Sequence, residues 1–215
     1  MYIGDRIRFR YIADVFPLAP KDKEYFCLDL GCGAQFHRVI AETHGFKYTG
    51  MDKDPEYIGT LKIDLDNEKE ILNLINANKS FYSVILCIDT LEHLKDPTLC
   101  LSYLPDLLSE NGRLIIHVPN KNQTHVLIEP EKNEEHLRDG FTAEEIKSTL
   151  GKFFTSDKLW IMPTFLYNEA IAWDLNYILS HAFGTKKLIE IGIEKLLKFD
   201  ISTFVPYGLL ILGDK

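Results

Sequence analysis

Two glycines and a spaced pair of carboxylates carry the chemistry in this sequence. In Leu28-Asp29-Leu30-Gly31-Cys32-Gly33, an apolar run that begins at Tyr25 enters a tight glycine turn, and Asp52 follows Gly31 by 21 residues. Glycine lets backbone approach a ligand closely. A carboxylate is a paired acceptor that can take two neighbouring ribose hydroxyls. The order of apolar run, glycine turn, helix-forming segment, second apolar run and acid is that of the first half of a nucleotide-binding βαβ unit. A dinucleotide site needs a third glycine where pyrophosphate meets the helix, and Phe36 stands there instead. Asp29 would also repel a pyrophosphate, but it suits a cationic group such as an amine. The spacing therefore favours a positively charged adenosine-type cofactor over NAD.

At these residues the chain resembles the class I S-adenosylmethionine-dependent methyltransferases, with LDLGCG as their glycine-rich first motif and Gly50 to Asp54 (GMDKD) as the acid of the second strand. The likeness continues through Asp64-Leu65, Val84 to Leu94 (VILCIDTLEHL), Asn111 to Asn120 (NGRLIIHVPN) and Glu134 to Ile146 (EEHLRDGFTAEEI). It covers roughly residues 25 to 155 and is nearest to the small-molecule type 11 group. The resemblance implies S-adenosyl-L-methionine as cofactor. Asp29, Gly31, Cys32, Gly33 and the backbone of Cys87 would face its methionine end. Asp52, followed by Lys53, would hold the ribose, Asp64 would accept from the adenine amino group, and the Leu65 amide would donate to the ring. The fold implied is α/β: a Rossmann-like seven-stranded, mostly parallel sheet with helices on both faces and an antiparallel last strand.

Each position also has a structural reading. Asp52 could cap the following turn, Asp66 rivals Asp64 two residues on, and Asp29 could be a core acid. Gln35 replaces a further glycine that many relatives carry, and its Cβ predicts a loop that avoids positive φ there. His93, in Leu91-Glu92-His93-Leu94, is either a general base near the emerging methyl group or part of a Glu-His scaffold. His117, inside an expected strand, reads as a satisfied core histidine. His136 and Asn120 are further polar residues near the expected cleft.

The elements that would position these groups alternate strand and helix from Tyr25 onward, which predicts a parallel α/β sheet. Strands are expected at Tyr25–Leu30, Lys47–Met51, Leu61–Ile63, Tyr82–Cys87, Arg113–Val118 and Tyr207–Leu212. Helices are expected at Gln35–Thr43, at 67–78, and at Thr98–Leu108 with a kink at Pro105. A capping box of Thr142 and Glu145 should start another that runs to Leu150. An amphipathic helix from Asp5 to Phe16 places Ile7, Tyr11, Ile12 and Val15 on one side. Arg6, Arg8 and Arg10 flank it, as a solvated face or as an anion clamp. By resemblance, residues 1–20 would form a lid, and about 166–199 a helical, aromatic-rich insertion on the acceptor side. The whole of 1–215 reads as a single domain.

Composition sets the class. A net charge of −8 disfavours sequence-independent nucleic-acid binding. No run of about 18 apolar residues signals a membrane span, and Met1 to Pro20 lacks the apolar core of a signal peptide. Cys27, Cys32, Cys87 and Cys100 form no C-x-x-C pair and read as reduced residues of a cytoplasmic protein, with no metal site. Three functions stay open: a methyltransferase acting on an oxygen or nitrogen of a lipid, sugar or secondary metabolite; a cofactor-binding subunit without catalysis; and a protein or nucleic-acid methyltransferase. Against the last, CIDT replaces the N/D-P-P-Y loop of adenine-amino enzymes, and the Pro-Cys nucleophile of cytosine-C5 enzymes is absent. Calorimetric titration should show binding of S-adenosylhomocysteine and none of NAD; tight NAD binding would reverse the choice of cofactor.

Overall fold

A computed structural model of the chain describes residues 3–55, 57–122, 137–164 and 208–215, with side chains from residue 8. Its strands are β1 (Tyr25–Leu30), β2 (Phe46–Asp52), β3 (Leu61–Lys62), β4 (Tyr82–Ile88), β5 (Leu108–Pro119), β6 (Leu159–Thr164) and β7 (Gly208–Asp214). They form one sheet in the order β3-β2-β1-β4-β5-β7-β6. The pairs from β3 to β5 are parallel, whereas β7 runs antiparallel to both β5 and β6. The order reverses between β1 and β4. A crevice opens beyond the strand C-termini at such a switch point.

Alternation along the strands sorts the core into two faces. Leu28, Leu30, Ile85, Cys87, Leu114 and Ile116 face α3 (Glu68–Asn78), α4 (Pro97–Leu107) and α5 (Ala143–Leu150). Cys27, Val84, Leu86 and Ile115 face α1 (Ile3–Val15) and α2 (Arg38–Thr43). β4 is covered on both sides, as a central parallel strand must be. In α1, Ile12 is fully buried and Phe16, just beyond the helix, nearly so, both in the same cluster as Ile40 and Leu86. The C-terminal half of α1 is therefore core.

The expected elements are present with shifted bounds. The Thr142–Glu145 capping box forms and starts α5. α4 begins at Pro97 because Asp96 caps it, accepting from the amides of Thr98 and Leu99, and Pro105 is absorbed in its last turn. Asn111-Gly112, ahead of the strand expected from Arg113, form a bulge inside a longer β5: Leu108 pairs with Tyr82, but Arg113 already pairs with Val84, and Asn111 turns left-handed. α2 starts three residues later than expected, since residues 34–37 form turns first. The insertion at 166–199, the strand start at Tyr207 and His136 lie outside the described residues.

Removing the Ile12 side chain should create a cavity against the sheet. Ile12→Ala is expected to lower unfolding free energy by about 2–5 kcal/mol in urea titrations. A loss below about 1 kcal/mol would show that α1 is a detachable cover.

Candidate functional site: the crevice between β1 and β4

The glycine turn lies where β1 ends. Gly31 and Gly33 both have positive φ (68° and 44°), and a Cβ on Gly31 would overlap the Thr90 side chain, so that position admits only glycine. Thr90 Oγ1 shares its proton with the carbonyls of Leu30 and Ile88, joining the exits of β1 and β4. A Cβ on Gly33 would meet nothing within 4 Å, so that stretch of backbone faces open space. Cys32 between them is buried against Gly50, where a Cβ would collide with its Sγ; burial, with Asp29 beside it, pushes the thiol up to about 11 and makes it inert.

Four carboxylates come to this edge. Asp52, half-buried at the end of β2, accepts from the Gly33 amide (3.0 Å) through Oδ2 and from the Asp54 amide (3.1 Å) through Oδ1. The turn-capping reading of Asp52 is thus correct as far as it goes, and the second oxygen also ties the acid to the glycine turn. Lys53 beside it is exposed. Asp29 is buried on β1; its Oδ2 accepts from the Tyr48 hydroxyl at 2.7 Å and lies 3.6 Å from His37 Nδ1. Beyond β3, the Ile63 amide donates to the Asp52 carbonyl, which brings exposed Asp64 and buried Leu65 to the same rim. Of the rivals Asp64 and Asp66, Asp66 Oδ1 accepts from the amides of Lys95 and Asp96 and so anchors the start of α4, while Asp64 Oδ1 accepts from the Asp66 amide.

The fourth acid, Asp89, did not stand out in the sequence. Cys87 sits inside the ladder, paired with Leu30 and Ile116, and the chain leaves the sheet only after Ile88. Asp89 then adopts φ 47°, donates its amide to the His117 carbonyl, accepts from His117 Nδ1 at 2.6 Å and pairs with Arg8 of α1 at 2.5 Å. Burial opposes its ionisation, but the Arg8 guanidinium and then His117 outweigh it and hold the carboxyl well below the usual range. Arg8 is therefore no solvated flank; Arg10 is exposed. His117 is the satisfied core histidine expected, with Thr164 Oγ1 3.2 Å from its Nε2. His93 is half-buried on the 3₁₀ turn Leu91–His93, its amide donating to the Thr90 carbonyl. Asn120 is buried just beyond β5, where its Oδ1 accepts from the Asn122 amide at 3.2 Å.

One expectation about the loop fails. Gln35 takes φ 56° despite its Cβ. Its side-chain amide donates to Thr60 Oγ1 at 2.5 Å and its backbone amide to the Cys32 carbonyl, bonds that offset the roughly 1–2 kcal/mol cost of a left-handed residue.

The glycine turn, the acids at the ends of β1 and β2, and the β4 exit thus share one crevice. A family model described as a methyltransferase domain matches residues 5–160. The chain belongs to the class I S-adenosylmethionine-dependent methyltransferases. A ubiquinone biosynthesis O-methyltransferase of Coxiella burnetii is 22% identical over 129 residues, 57% of this chain and 53% of that protein. The chain spans about half the length of the curated relatives it matches. A SAM-dependent methyltransferase from Archaeoglobus fulgidus superposes with a TM-score of 0.62 at 19% identity, covering 99% of this chain and 93% of the other. A phosphoethanolamine N-methyltransferase of Haemonchus contortus in complex with S-adenosyl-L-methionine gives 0.60 at 14% identity, covering 99% and 52%.

Beside the crevice the chain buries one more acid. Glu92 is 1% exposed, and neither carboxylate oxygen has a hydrogen-bond partner among the described residues. Burial, helped by the charge of Asp89, pushes its carboxyl up to about 8. A cavity of about 950 Å³ opens at the opposite edge of the sheet, lined by Leu18, Phe26, Phe81 and Trp160 among others. None of the four crevice acids lines it. The sequence motif pointed to the Glu-His pair but gave no sign that Glu92 would be wholly enclosed, or that Asp89 would meet Arg8 from 81 residues away.

With its pKa raised above the unfolded value, Glu92 contributes fully below about pH 4.5, and its contribution is lost as pH rises through about 8. Glu92→Gln mimics the protonated acid. Its melting temperature should match the wild type near pH 5 and exceed it near pH 9. Parallel curves across that range would show that Glu92 is ionised and paired in the folded protein.

Proposed function

We propose that the chain transfers a methyl group from S-adenosyl-L-methionine to an oxygen or nitrogen of a small-molecule acceptor, a lipid, sugar or secondary metabolite. The observation that carries this reading is the convergence of Gly31, Gly33, Asp29 and Asp52 on one crevice at the switch point between β1 and β4. The curated relatives, named as ubiquinone biosynthesis O-methyltransferases, favour oxygen.

In this reading Asp52 exchanges its bonds to the Gly33 and Asp54 amides for the ribose hydroxyls, with Lys53 at the rim. Asp29, Gly31, Cys32, Gly33 and the Cys87 backbone hold the methionine end, where the Asp29 charge suits an ammonium group. Asp64 accepts from the adenine amino group and the Leu65 amide donates to the ring. The cofactor, when bound, supplies an electrophilic methyl on a sulfonium. The protein's part is to align the acceptor and exclude water. His93 is the side chain we assign to remove a proton from a hydroxyl acceptor. The N-terminal half of α1 would cover the crevice of a single cytoplasmic domain that binds no nucleic acid.

Asp52→Ala should weaken S-adenosylhomocysteine binding at least about tenfold in calorimetry, because two charge-assisted hydrogen bonds of roughly 1.5–3 kcal/mol each are lost. An unchanged affinity in the folded variant would remove Asp52 from the site.

A further inference from the structure

We propose that His117 is a positioning residue for the cofactor crevice: through Asp89 it sets the chain exit of β4 and the seating of Arg8 from α1. This rests on the placement of the cofactor proposed above. A carboxylate can only accept, so the 2.6 Å contact to Asp89 puts a proton on Nδ1 of His117. The other nitrogen, Nε2, is left to the Thr164 hydroxyl at 3.2 Å. The two ends of one buried ring therefore face different strands, β4 on one side and β6 on the other.

Three features show that the ring is built in rather than merely enclosed. A Cβ on Gly208 would overlap Nε2 and the Thr164 hydroxyl, so β7 is cleared of a side chain at the point where the ring lies. The Asp89 amide donates to the carbonyl of His117 itself, so backbone and side chain of one residue grip backbone and side chain of the other. And Asp89 holds a left-handed conformation, φ 47°, that a non-glycine residue keeps only when its surroundings impose it. Asp89 is the first residue beyond the β4 ladder, and Thr90 next to it packs over Gly31. A rotation at Asp89 therefore moves the wall of the glycine turn as well as the carboxylate that receives Arg8.

The two nitrogens can be separated by substitution. In His117→Asn the side-chain amide stands in the place of Nδ1, facing Asp89. In His117→Gln it stands in the place of Nε2, facing Thr164, and fills more of the ring's volume. If His117 only fills space, Gln is the better replacement. If it positions Asp89, Asn is.

S-adenosylhomocysteine affinity is measured by calorimetry for both variants, beside Asp52→Ala and with melting curves for each. The expected result is that His117→Asn binds within about threefold of wild type and His117→Gln is weaker by about tenfold or more. Equal losses, or a Gln variant that binds better than the Asn one, overturn the proposal. If His117→Gln does not fold, Asp89→Gly tests the same link from the other side, since glycine relieves the left-handed strain while removing the carboxylate. A tenfold loss supports the proposal, and wild-type affinity overturns it. Where Asp52→Ala also binds like wild type, the crevice is not the cofactor site; where Asp52→Ala loses affinity and the His117 pair does not split, only the positioning role fails.

Discussion

The bond from the Gly33 amide to the Asp52 carboxylate is the contact around which the crevice is organised. It joins the turn after β1 to the end of β2, two strands already paired in parallel from Tyr25↔Phe46 to Leu30↔Met51. Register places the acid level with the glycine turn. The positive φ of Gly31 and Gly33 then turns the backbone away from the ladder and aims an amide at the acid. Without glycine at 31 the turn would strike Thr90, and the exits of β1 and β4 would separate. Sheet order, glycine conformation and carboxylate placement are thus one constraint seen at three scales.

Charge follows the same geometry. Asp29, Asp52, Asp64 and Asp89 all lie at the C-terminal edge of a strand or just beyond it, and each is held by donors from the chain itself. Three cationic or titratable partners, Arg8, His37 and His117, stand beside Asp29 and Asp89. Asp29 and Asp89 thus have charged or titratable partners within the protein, whereas the carboxylates of Asp52 and Asp64 are held by backbone amides.

Much of this was legible in the sequence because it rests on local rules. The apolar run that ends at Cys87, the Thr142–Glu145 box and the glycine pair each act within a few residues, and each appears where expected. What was not legible depends on partners far along the chain. Arg8 reads as part of a basic stripe until Asp89 is brought to it, and Asp66 reads like Asp64 until α4 claims it. Gln35 misled for the same reason. Its Cβ argues against positive φ, but Thr60, 25 residues on, supplies the hydrogen bond that offsets the strain.

Where the strain lies is informative in itself. Four non-glycine residues among those described have positive φ: Gln35, Ser80, Asp89 and Asn111. Ser80 follows α3, and Asn111 sits in the β5 bulge; both are at the edge of the sheet away from the crevice, where turns and helix ends commonly use this conformation. Gln35 and Asp89 lie on opposite sides of the switch point, in the loops that leave β1 and β4. Neither loop has a glycine at that place to adopt the conformation freely. Each instead has a polar side chain whose hydrogen bonds offset the cost: Gln35 to Thr60, Asp89 to His117 and Arg8. A glycine would relax the backbone but lose the tether. Side-chain bonds thus tie the loop after β1 to the β2–β3 connection and the loop after β4 to β5 and α1, holding each rim more tightly than backbone preference alone could.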